Sequence, residues 1–202
     1  MNSLTVDFHS ILTITDEQFY QLCSQNPEIQ FERTAHQELI IMSPTGGGTG
    51  KRNSEILIEL GIWNRQQKSG VFFDSSTGFI LPNGSIRSPD VAWITNYKWE
   101  QISPEQQEKF IALCPDFVIE LRSNPPFIPP NRGERGGKEG GVQEKMAEYI
   151  ENGTRLGWLI NRKDREVEIY RAGTEKEVLH NPTNLLGEDV VSGFVLNLEL
   201  IW

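Results

Sequence analysis

Two carboxylates stand at the ends of strand-like segments in this chain. Asp90 precedes the apolar run 91–94, and Glu120 lies inside the apolar run 117–121, with Arg122 two residues further on. Because side chains alternate across a strand, Glu120 and Arg122 are predicted on the same face. Carboxylate oxygens beside a cation are suited to hold Mg²⁺ and to contact a phosphate. These residue types therefore indicate metal-assisted phosphodiester hydrolysis.

The same spacing is compatible with purely structural roles. Asp90 and Asp116 could be turn residues, and Glu120 could form an ion pair with Arg122. Charged residues at strand ends are common, so spacing alone favours this structural interpretation over a metal site.

Composition limits the class of protein. The chain has 202 residues and 37% hydrophobic residues, which predicts a single globular domain over 1–202. Its net charge of −9 argues against broad, non-specific binding of nucleic acid, but not against a small basic channel. No apolar run could span a bilayer, and residues 1–7 lack the pattern of a signal peptide. The two cysteines show neither zinc-ligand spacing nor a disulfide pattern, so we expect a reduced, cytoplasmic setting.

Hydrophobic periodicity predicts helices that alternate with strands. Helices are predicted over residues 12–22, 52–67 and 142–150, and strands over 31–34, 38–42, 71–74, 79–81, 90–94, 117–121, 157–160 and 166–170. Thr15 is the predicted N-cap of the first helix, with Gln18 completing a capping box. The run 117–121 lacks alternation of polarity, which predicts a central strand covered on both faces.

Two glycine-rich segments interrupt this pattern. The run 46–50 is not a Walker phosphate loop, because Thr45 and Arg52 stand where the motif needs a glycine and a hydroxyl residue. We predict a flexible turn there, before the second helix. Residues 123–141 contain four prolines and five glycines among charged residues, which predicts a mobile loop.

Several runs resemble the PD-(D/E)XK nuclease superfamily and, more closely, the Uma family of restriction endonucleases that is abundant in cyanobacteria. They are 38–46 (ELIIMSPTG), 74–79 (DSSTGF), 87–93 (RSPDVAW), 114–123 (CPDFVIELRS), 145–153 (KMAEYIENG) and 157–160 (GWLI). Each run alone is a weak signal, but together they are specific and extend over nearly the whole chain. The resemblance implies an α/β, restriction-endonuclease-like fold, with a central mixed sheet flanked by helices and an N-terminal helix and hairpin.

The resemblance also implies roles for individual residues. Asp90 and Glu120 would be the metal-binding carboxylates, and Asp116 would be a structural turn residue. Arg122 stands where the superfamily has a lysine, and it could contact a phosphate but stays protonated. Lys145 matches the helix lysine of the family and would orient the attacking water or offset developing charge. Without the family match, Lys145 would be interpreted as a solvated residue paired with a nearby glutamate.

A further carboxylate from the first core helix is common in the superfamily. Glu55 and Glu59 lie one turn apart on that predicted helix, and Glu32 on the early hairpin is a third candidate. We favour Glu55 as an additional metal ligand, although each of the three could equally be an exposed structural glutamate.

The predicted function is Mg²⁺- or Mn²⁺-dependent hydrolysis of DNA phosphodiester bonds, with no organic cofactor. Homodimerisation is expected from the superfamily, because two symmetric sites cut two strands most easily. The principal alternative is a catalytically inactive nuclease-fold module that binds nucleic acid or a protein partner. Both the acidic net charge and the long segment between Glu120 and Lys145 favour that alternative. Hydrolysis of a small phosphoester is a third option.

Overall fold

The computed structural model describes residues 3–8, 12–122 and 141–202. The predicted mobile loop over 123–141 lies outside the described residues, apart from Gly141, which begins a helix. The helices are α1 (Asp16–Gln25), α2 (Gly47–Gln67), α3 (Asn96–Glu100), α4 (Pro104–Gln107) and α5 (Gly141–Glu151), followed by a 3₁₀ turn over Leu198–Leu200. The strands are β1 (Ser3–Val6), β2 (Gln30–Arg33), β3 (Leu39–Met42), β4 (Gly70–Asp74), β5 (Phe79–Ile80), β6 (Ile86–Arg87), β7 (Val91–Thr95), β8 (Phe117–Arg122), β9 (Leu156–Asn161), β10 (Glu166–Arg171), β11 (Glu177–His180), β12 (Asn184–Leu186) and β13 (Val195–Asn197).

A six-stranded mixed sheet with the order β11-β10-β9-β8-β7-β4 forms the centre of the fold. β8 and β9 are parallel, and the other neighbours in this sheet are antiparallel. The sequence prediction of a central mixed sheet flanked by helices is confirmed. β8 is an inner strand whose first five residues are all buried, as the lack of alternating polarity over 117–121 predicts.

The two faces of this sheet are covered by different helices. On one face, Ile56 and Leu60 of α2 pack with Phe117 and Ile119 of β8. On the other face, Met146 and Tyr149 of α5 pack with the alternate residues of β8 and β9, whose side chains point to that face. Glu120 is one of these alternate residues, so its side chain points toward α5.

The predicted hairpin of β2 and β3 belongs to a second sheet, with the order β1-β3-β2-β6-β5. β2 and β3 pair antiparallel, as predicted, and β1 adds an edge strand that the sequence pattern did not indicate. Only four residues form β1, and three of them are exposed, so β1 carries no apolar periodicity to recognise.

Helix starts follow the capping chemistry in one case and depart from it in another. Thr15 caps α1 with both hydrogen bonds of the predicted capping box. By contrast, α2 begins at Gly47, so the prediction of a flexible turn over 46–50 is wrong. Gly is a poor helix former. However, the later turns of this 21-residue helix bury one side, and helix formation is cooperative, so they stabilise its glycine-rich first turn.

In the part of the chain that the structure describes, no helix is long and apolar enough to cross a membrane.

Candidate active site

Three strand ends and one helix meet at the edge of the central sheet that carries the predicted carboxylates. Asp90 lies directly before β7, and the antiparallel register pairs Val91 with Ile119, which brings Asp90 beside Glu120. Asp90 Oδ2 accepts a hydrogen bond of 2.8 Å from the backbone N–H of Leu121. We call this edge, formed by the start of β7 and the ends of β8 and β9, the carboxylate edge.

Lys145 reaches the carboxylate edge from α5. Its Nζ lies 2.7 Å from Glu120 Oε1 and 2.7 Å from Glu32 Oε1, and it donates to the carbonyl oxygen of Ser88 at 3.3 Å. Lys145 and Glu120 are therefore in direct contact, although a long segment lies between them in the sequence. The interpretation of Lys145 as a solvated helix residue does not hold, because its side chain is 12% exposed and is bound between two carboxylates.

Glu32 joins the second sheet to the carboxylate edge. Besides the ammonium of Lys145, it accepts the backbone N–H of Ser88 at 2.9 Å and Arg87 Nη1 at 3.2 Å. The Nε of Arg87 in turn donates to Glu148 of α5 at 2.6 Å. Glu32 is 2% exposed, so water has almost no access to its carboxylate. Only the fold distinguishes Glu32 from the other glutamates that the sequence offered.

Asn53 and Tyr149 also contact the two carboxylates, and the sequence pattern did not identify either of them. Asn53 Nδ2 donates to Asp90 Oδ1 at 2.9 Å, and the Tyr149 hydroxyl donates to Glu120 Oε1 at 3.3 Å. Asn53 Oδ1 is buried and has no hydrogen-bond donor among the described residues. Tyr149 could have been found from its spacing, since residues four apart share a helix face and Lys145 is the predicted site residue.

Arg122, Glu55 and Glu59 are the other residues that the sequence proposed for this site. Arg122 ends β8 on the same strand face as Glu120, and it is partly buried. In the described structure, neither Glu55 nor Glu59 forms a hydrogen bond or ion pair with Asp90 or Glu120. For Glu55 the reason is helical geometry. Asn53 is the residue of α2 that contacts Asp90, and the step of two residues from Asn53 to Glu55 turns the side chain by about 200° around the helix. The assignment of Glu55 as a metal ligand remains a prediction.

A pair of substitutions on α2 distinguishes these two residues. We expect Asn53→Ala to weaken Mn²⁺ binding by roughly 10- to 100-fold, because Asp90 loses a hydrogen bond that orients it. Glu55→Ala is expected to leave the affinity within about twofold. Isothermal titration calorimetry on both variants measures the difference. Equal losses, or a larger loss for Glu55→Ala, would instead support Glu55 as a metal ligand.

Asp116 is held at the opposite end of β8 by structural contacts. Its Oδ1 pairs with Lys98 Nζ at 2.9 Å and its Oδ2 accepts the backbone N–H of Thr95 at 3.0 Å. These bonds join β7 and α3 to the start of β8, which agrees with the structural role that the sequence predicted for Asp116.

Buried or partly buried carboxylates surround Lys145 and Arg87. Lys145 pairs with Glu32 and Glu120, and Arg87 pairs with Glu32 and Glu148, whereas Asp90 accepts from Asn53 and from the Leu121 N–H. Burial, reinforced by Asp90 and Glu32, raises the pKa of Glu120 to about 7 despite the attraction of Lys145. Burial also raises the pKa of Asp90, although the Leu121 N–H partly offsets this.

Glu32 and Lys145 both keep their charges at neutral pH. Burial opposes ionisation of Glu32, but Lys145, Arg87 and the Ser88 N–H outweigh it and lower its pKa. Burial likewise disfavours the ammonium of Lys145, but Glu120 and Glu32 outweigh it and raise the pKa above its usual range. Lys145 can therefore act as a fixed positive charge and a hydrogen-bond donor, and not as a base.

The ligand chemistry at this edge consists of oxygen atoms. Across the described ranges, no group of three or more His, Cys, Asp or Glu side chains is arranged to hold a metal ion. The oxygen atoms near this edge belong to the carboxylates of Asp90 and Glu120 and to the amide of Asn53, whose Oδ1 has no hydrogen-bond donor among the described residues. Oxygen ligands of this kind suit hard cations such as Mg²⁺ and Mn²⁺ more than zinc.

Comparison with known proteins identifies relatives over most of the chain. The family model described as "Uma2: Putative restriction endonuclease" matches residues 16–199. A solved structure of a "putative nuclease belonging to DUF820" from Anabaena variabilis is 20% identical, with a TM-score of 0.65. The superposition covers 86% of this chain and 90% of that one, which shows a shared fold. No curated protein matches the chain.

Proposed function

The chain belongs to the Uma2 family, described as putative restriction endonucleases, and from this premise we propose that it is a metal-dependent endonuclease that hydrolyses DNA phosphodiester bonds. The observation that supports the proposal best is the meeting of Asp90, Glu120 and Lys145 at one sheet edge. These three residues come from separate elements, and each matches a motif of the family resemblance.

The proposed reaction is hydrolysis at phosphorus. A water oxygen attacks the phosphorus atom and loses a proton to solvent, one phosphorus–oxygen ester bond breaks, and the departing oxygen takes up a proton from solvent and leaves as a hydroxyl group. Negative charge builds up on the phosphate oxygens during the attack, so groups that carry positive charge at the site accelerate the reaction.

The residues present fit a divalent cation. A positive ion would favour ionisation of Glu120, whose pKa is raised by burial, and would give a partner to Asn53 Oδ1, which has none among the described residues. Asp90 and Glu120 would hold Mg²⁺ or Mn²⁺, with Asn53 orienting Asp90. When bound, the cation would supply Lewis-acid stabilisation of the phosphate charge.

Lys145 and Arg122 have complementary roles in this proposal. Lys145 remains an ammonium because Glu120 and Glu32 stabilise its charge, so it orients the attacking water as a donor and offsets phosphate charge. Arg122, on the same face of β8 as Glu120, would contact a phosphate oxygen through its guanidinium. Tyr149 and Glu32 fix the positions of Glu120 and Lys145.

Incubation of supercoiled plasmid with the purified protein and Mn²⁺ tests the proposal. We expect nicked and linear products with the wild-type protein and no products in EDTA. If the wild-type protein binds DNA but never cuts it, the inactive-module alternative is correct. Of its two supports, the long segment before Lys145 is weakened by the contact between Lys145 and Glu120, whereas the acidic net charge remains. Sedimentation of the same samples checks the expected homodimer.

Metal affinity should depend on pH in a defined direction. Below about pH 7 the Glu120 carboxyl holds a proton that the cation must displace, whereas above that pH it is already ionised. The apparent Kd for Mn²⁺ should therefore fall up to about tenfold per pH unit from about pH 5.5 and level off above about pH 7.5. Calorimetry in two buffers of different ionisation enthalpy measures the proton release. An affinity that does not change over this range would remove Glu120 from the metal site.

A further inference from the structure

Arginines from three elements gather at the carboxylate edge of this acidic protein. Arg52 of α2 is next in sequence to Asn53, whose side chain bonds to Asp90. Arg122 ends β8, and it lies opposite Asn161 in the parallel register with β9, so Arg162 follows at the same edge. We call Arg52, Arg122 and Arg162 the arginine rim.

Two members of the rim, Arg52 and Arg162, differ from four other arginines of the described structure in having no carboxylate partner there. Elsewhere in the described structure, ion pairs with carboxylates hold the guanidinium groups of Arg33, Arg87, Arg155 and Arg171. Within residues 3–8, 12–122 and 141–202, no Asp or Glu forms an ion pair with Arg52 or Arg162. Arg52 is instead held by the carbonyl oxygen of Ile201, which accepts its Nε–H at 2.6 Å.

Two of the rim arginines, Arg52 and Arg162, also repel each other. Partial burial and the nearby Arg162 guanidinium lower the pKa of Arg52, which means that the two positive charges interact. Holding like charges together without a counter-ion costs free energy in the free protein. A polyanion that bound across both groups would remove this repulsion and release its own counter-ions.

We propose that Arg52 and Arg162, together with Arg122, bind the phosphate backbone of the DNA next to the bond that is cut. The inference rests on the proposed nuclease function and adds the surface that holds the substrate. Guanidinium groups suit this role because they contact phosphate oxygens through two parallel hydrogen bonds. A local rim of this kind also explains how a chain with a net charge of −9 can bind nucleic acid.

The chain provides a matched control for each of the two new positions. Arg65 lies near the other end of α2 from Arg52, about 20 Å away at the helical rise. Arg155 precedes β9 whereas Arg162 follows it, so these two arginines lie at opposite ends of that strand. Arg52→Gln and Arg162→Gln are therefore compared with Arg65→Gln and Arg155→Gln, which remove the same charge elsewhere.

Fluorescence anisotropy in EDTA, with a labelled DNA duplex of about 30 base pairs, measures binding without cleavage. We expect each rim variant to lose about tenfold in affinity. The slope of log K against log salt between about 50 and 200 mM should shrink by about 0.9 per variant. The two control variants should match the wild type. Arg52→Lys, which keeps the charge but not the fork, should retain most of the salt slope if Arg52 acts through its charge.

Further readings separate a failure of the rim from a failure of the nuclease function. Mn²⁺ affinity by calorimetry should be unchanged in Arg162→Gln, and its melting temperature should equal that of the wild type. If the wild type cuts plasmid but the rim variants bind DNA no worse than the controls, the rim inference is wrong and the nuclease function stands. If the wild type binds no duplex at low salt, the inference is also wrong. A duplex RNA measured in parallel shows which backbone is preferred, and a rim-dependent loss confined to RNA would contradict the assignment of DNA as the bound backbone.

Discussion

Replacing Asp90 with Asn is expected to lower the rate of DNA cleavage in Mn²⁺ by roughly 10²- to 10³-fold. Asn keeps the size of the side chain and can still accept the backbone N–H of Leu121, so the fold should be retained. It removes the negative charge that, with Glu120, would hold the cation. The loss should therefore appear in the rate and in Mn²⁺ affinity, and not in the melting temperature.

A second buried carboxylate at the other end of the same strand pair makes a sharp control. Asp116 is as buried as Asp90, but it contacts Lys98 and Thr95 away from the carboxylate edge. Asp116→Asn should lower the melting temperature while the cleavage rate per folded molecule stays near that of the wild type. The site assignment fails if Asp90→Asn cuts plasmid as fast as the wild type. It also fails if both variants lose activity only in proportion to the fraction unfolded.

Replacing Lys145 with Met is expected to destabilise the protein by about 3–5 kcal/mol, besides abolishing cleavage. Lys145 is the shared partner of Glu32 and Glu120, and removal of its charge leaves two buried carboxylates facing each other. Because both carboxylates would then be more costly to ionise, the destabilisation should increase with pH. Urea denaturation of the metal-free protein at about pH 6 and about pH 8 measures both effects.

A double variant tests whether the cause is charge rather than packing. Glu32→Gln in the Lys145→Met background should recover part of the lost stability, because one of the two unpaired carboxylates is gone. Lys176 provides the comparison, since it pairs with Glu168 at 2.6 Å but its side chain is 40% exposed. Lys176→Met should cost less than about 1 kcal/mol. A similar small loss for Lys145→Met would show that the network does not hold the site together.

Local patterns were sufficient to predict the elements that carry the carboxylates. Capping chemistry identified Thr15 as the N-cap of α1, and the lack of alternating polarity over 117–121 identified β8 as an inner strand. Strand alternation was sufficient to place Glu120 and Arg122 on one face. These features depend on neighbours a few residues apart, so the sequence by itself determined them, and the family motifs added the link between Asp90 and Glu120.

The set of groups that surrounds those carboxylates was decided only by the tertiary structure. Lys145 and Glu32 are 113 positions apart, and Asn53 is 37 positions from Asp90, so no periodic pattern connects them. Glu32, Glu55 and Glu59 look alike as residue types, and they differ only in what the packed helices and sheets bring near them. Contacts of this kind require α2 and α5 to pack on opposite faces of one sheet, which is a property of the whole fold.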